Sequence, residues 1–130
     1  MTILRIVLGF VLAAFFILGG FMHSILGWRS LSSRLRDAHT PEELIAQLAL
    51  GWHLGGAAMV TFGLMLIFLY VKFLRDRATS LRIAQLIAIF YIGFGIWAQV
   101  VSHHAFFTVM FIVPGLLLLF AASAGPPKTA

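Results

Sequence analysis

The 130-residue chain contains no cysteine and only four acidic residues, and 10% of it is charged. Each shortage excludes a class of chemistry. Without cysteine there can be no disulfide, no thiolate metal ligand and no thiol redox step. A thiol-free outer face also suits an oxidising periplasm. The acidic residues, Asp37, Glu42, Glu43 and Asp76, all fall outside the long apolar stretches. Paired carboxylates are therefore missing from those stretches, and hard cations such as Ca²⁺ and Mg²⁺ would find no oxygen cage there. Ser24 and Ser102 each neighbour a histidine in sequence, yet no carboxylate at their level could orient that base for nucleophilic catalysis. There is no glycine-rich phosphate loop and no internal repeat. The spans carry none of the Asp, Glu or Lys residues of a coupled transporter.

What the chain does have is hydrocarbon: 62% of its residues are hydrophobic, far more than soluble domains carry. Four apolar stretches, 3–22, 44–71, 83–101 and 105–122, account for most of it. Each is about 18 residues or longer, enough to cross a hydrocarbon core of roughly 30 Å as a helix. The expectation is a single all-α domain, a four-helix transmembrane bundle. A secretory signal peptide is the rival reading of the N-terminus, but Gly19–Ser24 offers no small-x-small cleavage site. Between the first two spans, Trp28, Leu31 and Leu35 recur at helical spacing among Arg29, Ser32, Ser33 and Arg36. That pattern predicts a short amphipathic helix lying in the interface. Thr40-Pro41-Glu42-Glu43 then reads as a capping box, starting the second span near Pro41.

Charge sets the expected orientation. Arg5, Lys72, Arg75, Arg77, Arg82 and Lys128 share one side of a four-span topology, and Arg29, Arg34 and Arg36 the other, diluted by acids. This places both termini in the cytoplasm, in what reads as a bacterial inner membrane. Basic residues are not interleaved with exposed aromatics, so nucleic acid is not an expected partner. The lipid bilayer is one, with a homo-oligomer or a larger membrane complex as the next.

Histidine carries the functional signal. Counted from the cytoplasmic end, His23, His53 and His103 lie about 20 residues up their helices, roughly 30 Å, and His104 adjoins His103. Trp28, Trp52 and Trp97 belong near the same end, as an aromatic belt would place them. Ionisable groups beside hydrocarbon are candidate functional residues. His53, Ala57 and Thr61 share one side of the second span, and Tyr91, Gly95 and Gln99 form a stripe on the third that leads towards Ser102 or His103. His53, Gln99 and His103 are accordingly expected to point inward. Imidazoles at matched depth in a bundle could hold haem b or a copper- or zinc-like ion, with Gln99, Ser102, Tyr91 and Thr61 fixing their tautomers. Gly51-x-x-x-Gly55, with Gly56 and Gly95, marks close helix packing.

The plain alternative is that these histidines lie wet in the interface with no ligand, as His39 does in its loop. Two functions follow. One is a haem- or metal-binding membrane protein, for electron transfer or metal handling. The other is a non-catalytic accessory or structural subunit. In architecture the chain resembles compact dihaem membrane cytochromes and, in size, small bacterial membrane proteins. Such cytochromes pair histidines at two membrane levels, whereas here they fall at one, so no residue role is carried over.

Overall fold

The computed structural model describes residues 3–123, so Lys128, counted above among the cytoplasmic cations, lies outside the described residues. Every regular element among them is helical: α1 Ile3–Met22, α2 Trp28–Asp37, α3 Glu42–Arg75, α4 Arg82–Ser102 and α5 Val113–Ala122. Two five-residue π-turns, His23–Gly27 and Thr108–Ile112, join α1 to α2 and lead into α5. The continuous helices Ile3–Asp37, Glu42–Arg75 and Arg82–Ser102 are long and apolar enough to cross a membrane. The fourth, Thr108–Ala122, is shorter. At about 1.5 Å per residue it reaches only some 22 Å, against roughly 30 Å of hydrocarbon.

The segment between the first two spans departs most from expectation. In place of a loop bearing a separate interfacial helix, α1 continues through its π-turn into α2, and only residues 38–41 are non-helical. Gly27, the one candidate breaker, keeps a helical φ of −62°. The helix then ends where His39 turns left-handed at φ 55°. Thr40 N–H donates to the Leu35 carbonyl and His39 N–H to that of Arg36, a Schellman closure around a histidine where glycine is usual. Arg36 Nε reaches Glu42 Oε1 at 3.2 Å across the turn. Glu42 and Glu43 in the first turn of α3, and Lys72 and Arg75 in its last, both complement the helix dipole.

The chain divides into two compact units, Ala13–Leu64 and Met1–Leu12 with Met65–Ala130. Within the first, backbones cross at glycine. A methyl added at Gly20 would lie 2.6 Å from the Gly56 carbonyl oxygen, and one at Gly63 2.7 Å from that of Ala13. Within the second, α4 and α5 pack antiparallel around Ala84, Ala88, Leu118 and Ala121, all fully buried. Gly115 sits against the Ala88 carbonyl and Gly95 against Ile112. Gln85 Nε2 donates to the Ala122 carbonyl (3.1 Å), closing the end of α5. Tyr70, fully buried, rests its ring on Gly9, where no side chain would fit.

A candidate imidazole site

In the Ala13–Leu64 unit the π-turn at the end of α1 changes where side chains point. A π-turn inserts one residue into the helical register, and such turns concentrate at functional sites. Here it leaves the His23 carbonyl accepting from Trp28 N–H, five residues on. The same oxygen also accepts the indole N–H of Trp52, from α3, at 2.7 Å. The Trp52 ring then lies flat on the His23 imidazole, with centroids 4.3 Å apart and planes 7° from parallel. One tryptophan thus holds both the backbone and the ring of His23.

Around this pair the other aromatic groups close in. Trp28 stands 6.4 Å from Trp52 and 5.6 Å from the His53 ring, tilted to both. His53 is exposed and His23 half-buried, and the two lie within electrostatic reach of each other. Glycine and serine make the approach possible. Gly27 lies under the Trp52 ring, Gly56 leaves room for the Ser24 hydroxyl, and a methyl at Gly55 would sit 3.5 Å from His23 Nε2. The face of His23 is therefore covered by indole, and its Nε2 edge lies beside Gly55, itself an exposed residue.

Several expected orientations are different. His53, Ala57 and Thr61 do form one side of α3, but that side is exposed. Thr61 donates to the Ala57 carbonyl of its own helix (2.9 Å). The buried side carries Gly56 and Gly63 instead. Gly51 has open space where a side chain would go and Gly55 is exposed, so close packing lies at Gly56, not at Gly51-x-x-x-Gly55. The reason is phase: Gly51 and Gly55 lie a quarter-turn or more from Gly56 around a helix of 3.6 residues per turn.

In the second unit, α4 stops at Ser102, short of the expected inward stripe through His103. His103 is left-handed at φ 56°, its N–H closing on the Gln99 carbonyl. It and His104 are exposed, in the turn before the Thr108–Ile112 segment. The residues expected to support imidazoles have other duties here. Gln99 Oε1 accepts from the Thr108 hydroxyl (3.0 Å), and Ser102 Oγ donates to the Ala98 carbonyl (2.7 Å) and accepts from His104 N–H. Tyr91 is buried with its ring 5.6 Å from Phe111. Among the described residues no three His, Asp or Glu side chains gather as metal ligands.

Sequence reasoning placed Trp28 and Trp52 in a belt and missed that they grip the histidines. A signal was present: Gly20, Ser24 and Gly27, all small, recur at i, i+4 and i+7 through the turn that bears His23. No protein-family model matches the chain, and no curated protein or solved structure matches it either.

Proposed function

We propose that the chain is an integral protein of the bacterial inner membrane, with four spans and cytoplasmic termini, and that His23 and His53 bind a transition-metal ion for metal handling. The observation that carries this reading is that two imidazoles lie in one aromatic cluster, His23 stacked on Trp52 and His53, exposed, beside Trp28. Neutral imidazole suits copper- and zinc-like ions. Two protein ligands leave coordination positions open, as an exchanging ion needs and a closed structural site does not. The Trp52 ring covers the flat face of His23, which favours a ligand of ionic size at the Nε2 edge over a porphyrin, so haem b is the runner-up.

Depth supports the membrane placement. From Lys72 to Trp52 is about 30 Å along α3, so the Trp28–Trp52 pair falls where an aromatic belt would lie. α2 and the first turns of α3 then stand outside the hydrocarbon. The fourth helix spans with local thinning of the bilayer, a modest cost. The second functional reading, an accessory subunit of a larger complex or a homo-oligomer, is supported by the exposed face of α4 that carries Leu86, Ile89, Ile96 and Trp97.

The test is metal analysis and an absorbance spectrum of the detergent-purified protein from its native membrane. The expected result is about one Cu or Zn per chain, lost in His53→Ala and in His23→Ala. A Soret band would replace the ion with haem. A folded, colourless, metal-free protein would overturn the site and favour the accessory role.

A further inference from the structure

One end of the second unit is built from the start of α1, the end of α3, the start of α4 and the end of α5. The elements are tied there by Phe10 against Tyr70, by Gln85 bonded to the Ala122 carbonyl, and by Arg5 over the Phe120 ring. Five cations meet at this end, Arg5, Lys72, Arg75, Arg77 and Arg82, against one carboxylate, Asp76. Asp76 Oδ1 accepts the Ala78 N–H (2.9 Å), and its carbonyl accepts that of Thr79, so the acid is spent on folding the loop. Among the described residues none of the five cations is paired with a carboxylate. Two lie over aromatic rings, Arg5 4.4 Å from the Phe120 centroid and Arg77 5.1 Å from that of Phe73. Directly beside the charges the surface turns apolar: Leu4, Leu74, Ile83 and Leu86 are 45–69% exposed.

Cations without a carboxylate partner, bordering exposed hydrocarbon, are complementary to an amphiphile with an anionic head. We infer that this end is a binding surface for anionic phospholipid, its phosphate held among Arg75, Arg77 and Arg82 and its acyl chains along Leu74, Ile83 and Leu86. A free phosphate would use the cations and leave the apolar border idle. Cations held at the end of apolar helices attract acidic headgroups by Coulomb energy that each basic residue adds to. The inference rests on the membrane placement but not on the metal site, since no residue is shared.

The experiment reconstitutes the full chain into vesicles of phosphatidylcholine alone or mixed with phosphatidylglycerol, then reads retained lipid by native mass spectrometry. Phosphatidylglycerol is expected to be retained over phosphatidylcholine, with the preference falling as salt rises. Arg75→Gln with Arg77→Gln should weaken it about fivefold per charge removed, while Arg75→Lys with Arg77→Lys should keep most of it and shows that the fold is intact. An inserted protein with no headgroup preference, or a glutamine variant equal to the parent, would overturn the proposal. So would inorganic phosphate that displaces the lipid at equal concentration, because the apolar border would then contribute nothing. Failure to insert into phosphatidylcholine vesicles at all would overturn the membrane placement and this proposal with it, while leaving the metal analysis to stand by itself.

Discussion

The two π-turns have the same length and each borders a glycine crossing, yet they arise from different causes. At Thr108–Ile112 the cause is local. Pro114 lies two residues past the turn, lacks an N–H for the Met110 carbonyl and would crowd it with its ring, so the helix widens ahead of it. Val113 N–H then closes on the Thr108 carbonyl, and the Thr108 hydroxyl is taken by Gln99. At His23–Gly27 there is no proline. The carbonyl that the wider turn presents is taken by an indole N–H 29 residues away, and the imidazole of the same residue is stacked beneath that indole. One turn accommodates its own sequence. The other is fixed by a partner helix and presents an ionisable ring, which is why the functional proposal rests on it.

The largest effect that separates the regions should come from the crossing itself. Gly56→Ala drives a methyl into the Gly20 carbonyl, 2.8 Å away, and into the Ser24 hydroxyl. Forcing these backbones apart should cost about 2 kcal/mol, as overpacking does, and should lower the thermal midpoint in detergent micelles and loosen Trp52 from His23. Gly51→Ala, five residues away in open space, is the control and should be neutral or slightly stabilising, since alanine favours a helix over glycine. Equal losses in the two variants would show that the crossing is misplaced.

A smaller effect tests the cause of each π-turn. Trp52→Phe keeps a ring on His23 but removes the N–H, so it should cost about 1 kcal/mol and speed hydrogen exchange at Trp28 N–H. The Thr108–Ile112 amides should be unmoved. Pro114→Ala should do the reverse, returning residues 108–112 towards α-helical chemical shifts and leaving the His23 turn as it was. If Trp28 N–H exchanges at the parent rate in Trp52→Phe, the first turn does not depend on its partner helix.

The difference between local and distant causes also explains what could be read from the sequence. The stretches 3–22, 44–71 and 83–101 match α1, α3 and α4 to within a few residues, because length and hydropathy are local properties. The amphipathic helix expected from Trp28, Leu31 and Leu35 is present as α2, Trp28–Asp37; its continuity with α1 was not legible, because Ser24 and Gly27 resemble a joint and the support comes from Trp52 on α3. Which face of α3 is buried turns on where Gly56 meets Gly20, a pairing of two distant positions that a single sequence does not rank above Gly51-x-x-x-Gly55. The histidines on α1 and α3 stand out in the sequence by their depth along apolar stretches. Their tryptophan partners do not, because a belt residue and a clamp residue have the same composition and the same depth.

His103 gives the smallest effect and the sharpest contrast with His53. Both are exposed imidazoles, but His103 has left-handed backbone at φ 56°, where it ends α4, and His53 sits within a regular helix beside Trp28. A side chain with a Cβ pays for that left-handed position and glycine does not. His103→Gly should therefore stabilise the protein by about 0.5 kcal/mol, the local relief being partly offset by the freer unfolded chain. If His23 and His53 bind a metal as proposed, its content should stay at the parent level in His103→Gly and fall in His53→Ala. A His103→Gly variant that lost the metal would make His103 a ligand and would overturn its role as a helix terminator alone. Retention of the metal with a small gain in stability would confine His103 to ending a helix, and would leave His23 and His53 as the proposed ligands.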